Sequence, residues 1–173
     1  MTRTFVILDL DGSVFPLPHR KVTPTPDRVT TTVAVPPRAP VTVTFRPAVV
    51  EAITRWAASA DVQWLTSWGR KTQWLDQVGL PTLPVLYDPE PGEVFFWGRS
   101  RLSWKKPQVA ELMGRQSAPF RVVWIDDDSF SPAYGDELRA AHPLLEDLLL
   151  IQPDCYEGLT DEDLLRVEKS LAG

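Results

Sequence analysis

Two aspartates, Asp9 and Asp11, flank Leu10 and run directly into Gly12 and Ser13. They close an apolar run, Phe5-Val6-Ile7-Leu8, that starts almost at the first residue. Such a run, bounded by glycine, reads as a buried strand. Both carboxylates then fall at its carboxyl end, where parallel sheets carry their chemistry. Carboxylates this close repel each other unless a cation or a shared proton compensates. The pair therefore predicts a divalent metal, a nucleophile beside an acid, or both.

Three further polar groups complete a set suited to phosphoryl transfer: Thr66 with Ser67, Lys105 with Lys106, and Asp126, Asp127 and Asp128. Asp9 would attack phosphorus and form an aspartyl-phosphate. Asp11 would give a proton to the leaving oxygen and then take one from the hydrolytic water. Mg²⁺ suits such a site, because it is hard and is held by few carboxylates plus water and phosphate. Asp126, with Asp127, would complete its shell beside Asp9 and Asp11. Thr66, Ser67 and the backbone N–H groups after them would hold phosphate oxygens at a helix amino terminus. Lys105 or Lys106 would neutralise the phosphate and the nucleophile. Taken singly, each group has a plainer reading: a turn cap, a helix cap, a solvated helix start or an acidic loop.

The elements that must position these residues alternate strand and helix. Strands are expected at 4–10, 62–66, 83–87, 120–125 and 148–151, with a short extra one at 93–97. Pro84 argues that 83–87 is an edge strand. Helices are expected from Pro47, over 70–78 with Gly79 as its left-handed stop, over 106–113 with Pro107 in the first turn, over 131–141, and after Thr160 as cap. The β-branched runs 29–35 and 41–45, separated by Pro36-Pro37-Arg38-Ala39-Pro40, read as a hairpin projecting from the body. Alternation of this kind means a parallel sheet with helices on both faces, within one domain spanning 1–173. Three polar clusters then fall at strand carboxyl ends and converge on one crevice.

The four clusters, in this order and on these elements, resemble the motifs of the haloacid dehalogenase (HAD) superfamily of phosphohydrolases. Asp9-Leu10-Asp11-Gly12-Ser13-Val14 is similar to its first motif, with Ser13 in place of the commoner threonine. Trp64-Leu65-Thr66-Ser67 is similar to the second, Trp104-Lys105-Lys106-Pro107 to the third, and Val123-Trp124-Ile125-Asp126-Asp127 to the fourth. By motif the resemblance spans residues 4–127. It implies a Rossmann-like three-layer α/β sandwich with about five parallel strands, ordered third, second, first, fourth, fifth. It implies Mg²⁺, a covalent aspartyl intermediate, and a metal contact from Asp11 through its backbone carbonyl alone. The adjacent lysines leave the third motif open between Lys105 and Lys106, and the acids leave the direct ligand open between Asp126 and Asp127. Inserts after the first or second motif roof the site in this superfamily. Here there is room only for the hairpin within 13–45, a small flap. An open site fits a macromolecular phosphorylated substrate, or a small one if a second subunit supplies the roof.

Composition narrows the remaining choices. The chain has 173 residues, 43% apolar and 24% charged, with a net charge of −5. That acidity disfavours a nonspecific nucleic-acid binder, although Arg70, Lys71, Arg99 and Arg101 offer a basic rim. Of seven tryptophans, Trp68, Trp97 and Trp104 adjoin the motifs and offer flat faces to a base or a sugar. Lone Cys155 has no internal disulfide partner. No run approaches the roughly 20 apolar residues of a membrane span, and no signal-peptide pattern opens the chain. The expectation is a cytoplasmic, Mg²⁺-dependent phosphatase acting on a phosphomonoester, a nucleotide or nucleic-acid end being one option and a sugar or small metabolite another. A phosphotransferase, or a non-catalytic metal-binding module on the same fold, is the alternative.

Overall fold

A computed structural model describes residues 2–18, 25–90 and 102–173. The strand expected at 93–97, with Trp97, Arg99 and Arg101, lies outside the described residues. The chain forms a mixed α/β fold with a four-stranded parallel sheet and a separate two-stranded antiparallel hairpin. In chain order the elements are β1 (Arg3–Leu8), β2 (Val29–Val33), β3 (Val41–Phe45), α1 (Pro47–Ala57), β4 (Asp61–Trp64), a 3₁₀ helix (Gly69–Val78), α2 (Leu102–Gly114), β5 (Phe120–Ile125), α3 (Tyr134–Ala141), β6 (Leu145–Ile151) and α4 (Asp161–Ala172).

The sheet order is β4-β1-β5-β6. Leu8 pairs with both Trp64 and Ile125, and Ile125 pairs with Ile151, so the strands end level with one another. Central strand β1 is buried on both faces, which explains its unbroken apolar run. Val6 and Leu8 pack with Val49, Ile53 and Trp56 of α1 and Leu164 and Val167 of α4. Phe5 and Ile7 pack with Val109 and Met113 of α2 and Tyr134 and Leu138 of α3. Helices thus cover both faces of the sheet. Among the described residues, no helix is long and apolar enough to cross a membrane.

Several expected elements take a different form. The strand expected at 83–87 is reduced to a single parallel bridge between Val85 and Trp64. Two hydrogen bonds make it, from Trp64 N to the Pro84 carbonyl and from Leu86 N to the Trp64 carbonyl. Pro84 has no N–H to extend the ladder. The helix expected over 70–78 is a 3₁₀ helix. Its buried residues, Gly69, Thr72, Leu75 and Val78, recur every third position, the repeat of a three-residue turn. Gly79 ends it with φ of 82°, as expected. Helix α2 already includes Leu102, ahead of the expected start, which leaves Pro107 inside the helix. Pro107 is the sixth of its thirteen described residues and so removes, near mid-helix, the N–H that would have bonded four residues back. Thr160 caps α4 in a reciprocal pair with Asp163.

The hairpin is docked, not projecting. Val33, Val43 and Phe45 on its inner face join the main core, while Thr30, Thr32, Thr42 and Thr44 form the outer face. The Gln77 side chain pairs with both backbone groups of Ala34, at 3.0 and 3.1 Å. Arg46 follows β3 and reaches Asp27, the Leu159 carbonyl and Asp161. Phe45→Ala is therefore expected to lower unfolding free energy by about 3–5 kcal/mol in denaturant titrations. Deleting 29–45 should abolish cooperative thermal melting. A deletion protein that melts like wild type would make the hairpin peripheral.

Candidate functional site

The level strand ends explain why distant aspartates meet. Asp9 follows β1 and Asp126 follows β5, and each extends the ladder by one bond. Asp9 N donates to the Ile125 carbonyl at 2.9 Å and Asp126 N to the Ile151 carbonyl at 3.1 Å. Thr66 follows β4 on the other side, where Leu65 N donates to the Leu8 carbonyl at 2.8 Å.

Lys105 of α2 enters between the first two. Its Nζ lies 2.9 Å from Asp9 Oδ2 and 2.7 Å from Asp126 Oδ2, and the side chain is only 3% exposed. Lys106 turns away, placing its ammonium 4.0 Å from the ring centre of Tyr134. The two lysines left open by the sequence are thus separated in space: only Lys105 reaches the aspartates. Asp126 is fully buried, and its Oδ1 accepts from Asp128 N at 3.2 Å.

Carboxylate oxygens of Asp9, Asp126 and Asp127 lie within 4.8 Å of one another. With Lys105 as the neighbouring cation, these three would carry a formal charge of minus two when ionised. A divalent ion of the hard, oxygen-seeking kind fits both the donors and the charge. Asp11 stands apart from this cluster. Its Oδ2 accepts from the Trp68 indole N–H at 3.0 Å.

Gly12 packs the two acidic segments together. Its φ is 83°, a left-handed conformation, and a Cβ there would meet Asp127 Oδ2 at 2.4 Å. The loop is closed by the Leu10 carbonyl, which accepts from Ser13, Val14 and Phe15 N–H groups, and by Gly12 N donating to Phe15 O. Ser13 is fully buried beside it. Thr66 is buried as well, and its Oγ1 accepts from Trp68 N at 3.4 Å, closing the turn that leads into the 3₁₀ helix. Ser67 is half-buried in the same turn. Arg70, expected in a basic rim, pairs with Asp88 at 2.8 Å but remains largely exposed.

Sequence reasoning missed the Trp68–Asp11 bond and the aromatic contacts behind it. Phe15 lies 6.2 Å from both Phe45 and Trp68, between ring centres. No periodicity links residues 15, 45 and 68, so no local pattern announces the contact. Compared with family models, curated proteins and solved structures, the chain matches none.

Electrostatics mark Asp126 most clearly. Burial and the Asp9 charge push its carboxyl up to about 7, against the pull of Lys105 and the Asp128 N–H. Burial alone would lower the Lys105 ammonium, but the charges of Asp9 and Asp126 and their hydrogen bonds outweigh it and raise the pKa. The raised Asp126 value has a definite sign for stability. The metal-free native state holds this proton more tightly than the unfolded chain, where the ordinary value is 3.8. The stabilisation is full below pH 3.8 and is lost as pH rises to about 7. In metal-free protein, wild-type stability minus that of Asp126→Asn should fall with pH across that window, read by denaturant titration. A flat difference would refute the shift. Lys105→Met should cost about 3–5 kcal/mol by leaving two buried carboxylates without their cation. Lys106→Met, removing an outlying cation–π contact, should cost about 1 kcal/mol or less.

Proposed function

We propose that this protein is a Mg²⁺-dependent phosphomonoesterase that works through an aspartyl-phosphate on Asp9. The observation that carries the proposal is one ammonium, Lys105, shared between Asp9 and Asp126, with Asp127 close enough to join them around a cation. The resemblance to the HAD superfamily supports the same reading. Counting the Val85 bridge as the outermost strand, the neighbours run third, second, first, fourth, fifth, the order which that resemblance implies.

Asp9, Asp126 and Asp127 would hold the metal, with Asp11 contributing at most its backbone carbonyl. Bound there, Mg²⁺ would offset phosphate charge and help align the ester. The residues do the rest. An Asp9 oxygen bonds to phosphorus while the bond from phosphorus to the ester oxygen breaks, and Asp11 protonates that oxygen. Water then attacks phosphorus, gives its proton to Asp11, and frees Asp9 and inorganic phosphate. Lys105 keeps Asp9 ionised and in place as charge shifts. Thr66 and Ser67 would meet the phosphate oxygens, while the N–H groups after them are already held, Trp68 N by Thr66 Oγ1, Gly69 N by the Thr66 carbonyl and Arg70 N by Asp88.

Among the described residues the insert after the first strand is the docked hairpin alone, which supports a bulky substrate such as a nucleotide or a nucleic-acid end over a small metabolite. Phosphate release from a panel of nucleotide, polynucleotide-end and sugar phosphates tests the proposal. Release should require Mg²⁺ and should fall by at least about a hundredfold in Asp9→Asn, with the fold retained. Wild-type protein that binds Mg²⁺ but releases no phosphate from any ester would favour a non-catalytic metal-binding module. Transfer of phosphate to an added alcohol in preference to water would make it a phosphotransferase.

A further inference from the structure

Trp68 carries a contact that substrate stacking does not explain. Its indole N–H donates to Asp11 Oδ2 at 3.0 Å. Its ring meets Phe15 edge-on, with planes at 66°, and Phe15 lies against Phe45 of the hairpin. Its own backbone N–H is held by Thr66 Oγ1. Asp11 and Phe15 face each other across one short loop, bridged through Gly12 N and the Phe15 carbonyl. One indole is therefore gripped by both arms of the loop that carries Asp11.

An indole N–H donates and never accepts. The hydroxyl oxygen of a protonated carboxyl is a poor acceptor, so the oxygen facing the indole stays the carbonyl one. A proton carried by Asp11 then resides on Oδ1. We propose that Trp68 is the positioning residue for Asp11, fixing Oδ2 so that Oδ1 alone exchanges protons with the reacting oxygens. This rests on the phosphomonoesterase reading. In the first step the Oδ1–H bond breaks as the departing ester oxygen gains the proton and leaves phosphorus for the incoming Asp9 oxygen. In the second, water bonds to phosphorus, the Asp9–phosphorus bond breaks, and the water proton returns to Oδ1. Because Oδ2 stays on the indole throughout, the carboxyl need not turn between the two steps. Phe15 holds the indole and is itself backed by Phe45, which ties the hairpin to proton transfer.

Trp68→Phe keeps a ring for Phe15 and removes the N–H. Two substrates separate the roles: an aryl phosphate, whose phenolate leaves without help, and an alkyl phosphate, whose alkoxide needs a proton. In Mg²⁺-loaded protein, single-turnover release of the alcohol, which reads the first step alone, should slow about tenfold or more for the alkyl ester and about twofold or less for the aryl ester, with KM nearly unchanged. Equal losses on both esters, or a change in KM alone, would overturn the proposal, and the latter would make Trp68 a stacking platform. A second measurement needs no turnover. The Trp68 indole N–H resonance, assigned by its disappearance in Trp68→Phe, should move upfield and exchange faster in Asp11→Ala. An unmoved resonance would overturn the positioning role whatever the kinetics. If the resonance moves but wild type hydrolyses neither ester, the phosphomonoesterase reading fails, and the catalytic role of Trp68 fails with it.

Discussion

One buried ammonium sets the terms for the rest of the fold. Asp9 and Asp126 end adjacent parallel strands whose registers match, so the sheet itself forces their carboxylates together. Two such anions away from water are tolerated only with a compensating charge. Lys105 supplies it from α2, which aims this side chain at the strand ends. Gly12 then lets the first loop approach Asp127 more closely than any side chain would allow. Burial and the Asp9 charge still push the Asp126 carboxyl up against the pull of Lys105.

The second constraint is apolar. Phe45 of the hairpin, Phe15 of the loop after β1, and Trp68 after β4 make a continuous aromatic contact from the edge of the molecule to Asp11. The hairpin therefore has two physical roles. It buries Val33, Val43 and Phe45 in the larger core, and it backs the residues that orient one carboxylate. Stability and site geometry share the same side chains, so the hairpin is poorly suited to swing as a lid.

Much of this was legible in the sequence, for identifiable reasons. The run Phe5 to Leu8 and the run Val122 to Ile125 are apolar because both strands are buried on two faces, and burial is what a continuous run encodes. Their following acids could be placed because the sheet was expected to be parallel. The hairpin showed in its two β-branched runs, 29–35 and 41–45, parted by a proline-rich turn. Besides the Trp68–Asp11 contact, the docking of the hairpin and the reduction of 83–87 to a bridge, other features were not legible. The 3₁₀ helix carries a three-residue period that an α-helical reading absorbs, since Thr72, Leu75 and Val78 fit either template loosely. The expected helix at 106–113 began too late because Pro107 reads as a first-turn proline, whereas α2 already includes Leu102. The choice between Lys105 and Lys106 depends on helix rotation against the sheet, and adjacent residues of one type carry no record of that rotation.

The covalent role of Asp9 is the central claim, and it is tested most directly by trapping. Protein mixed with Mg²⁺ and a turned-over ester would be acid-quenched, digested and read by mass spectrometry for a phosphoryl group on the peptide carrying Asp9. A phosphorylated Asp9, absent without Mg²⁺ and absent in Asp9→Asn, is the predicted result. Steady turnover with no phosphoryl group on Asp9, or with the group on another residue, would contradict it.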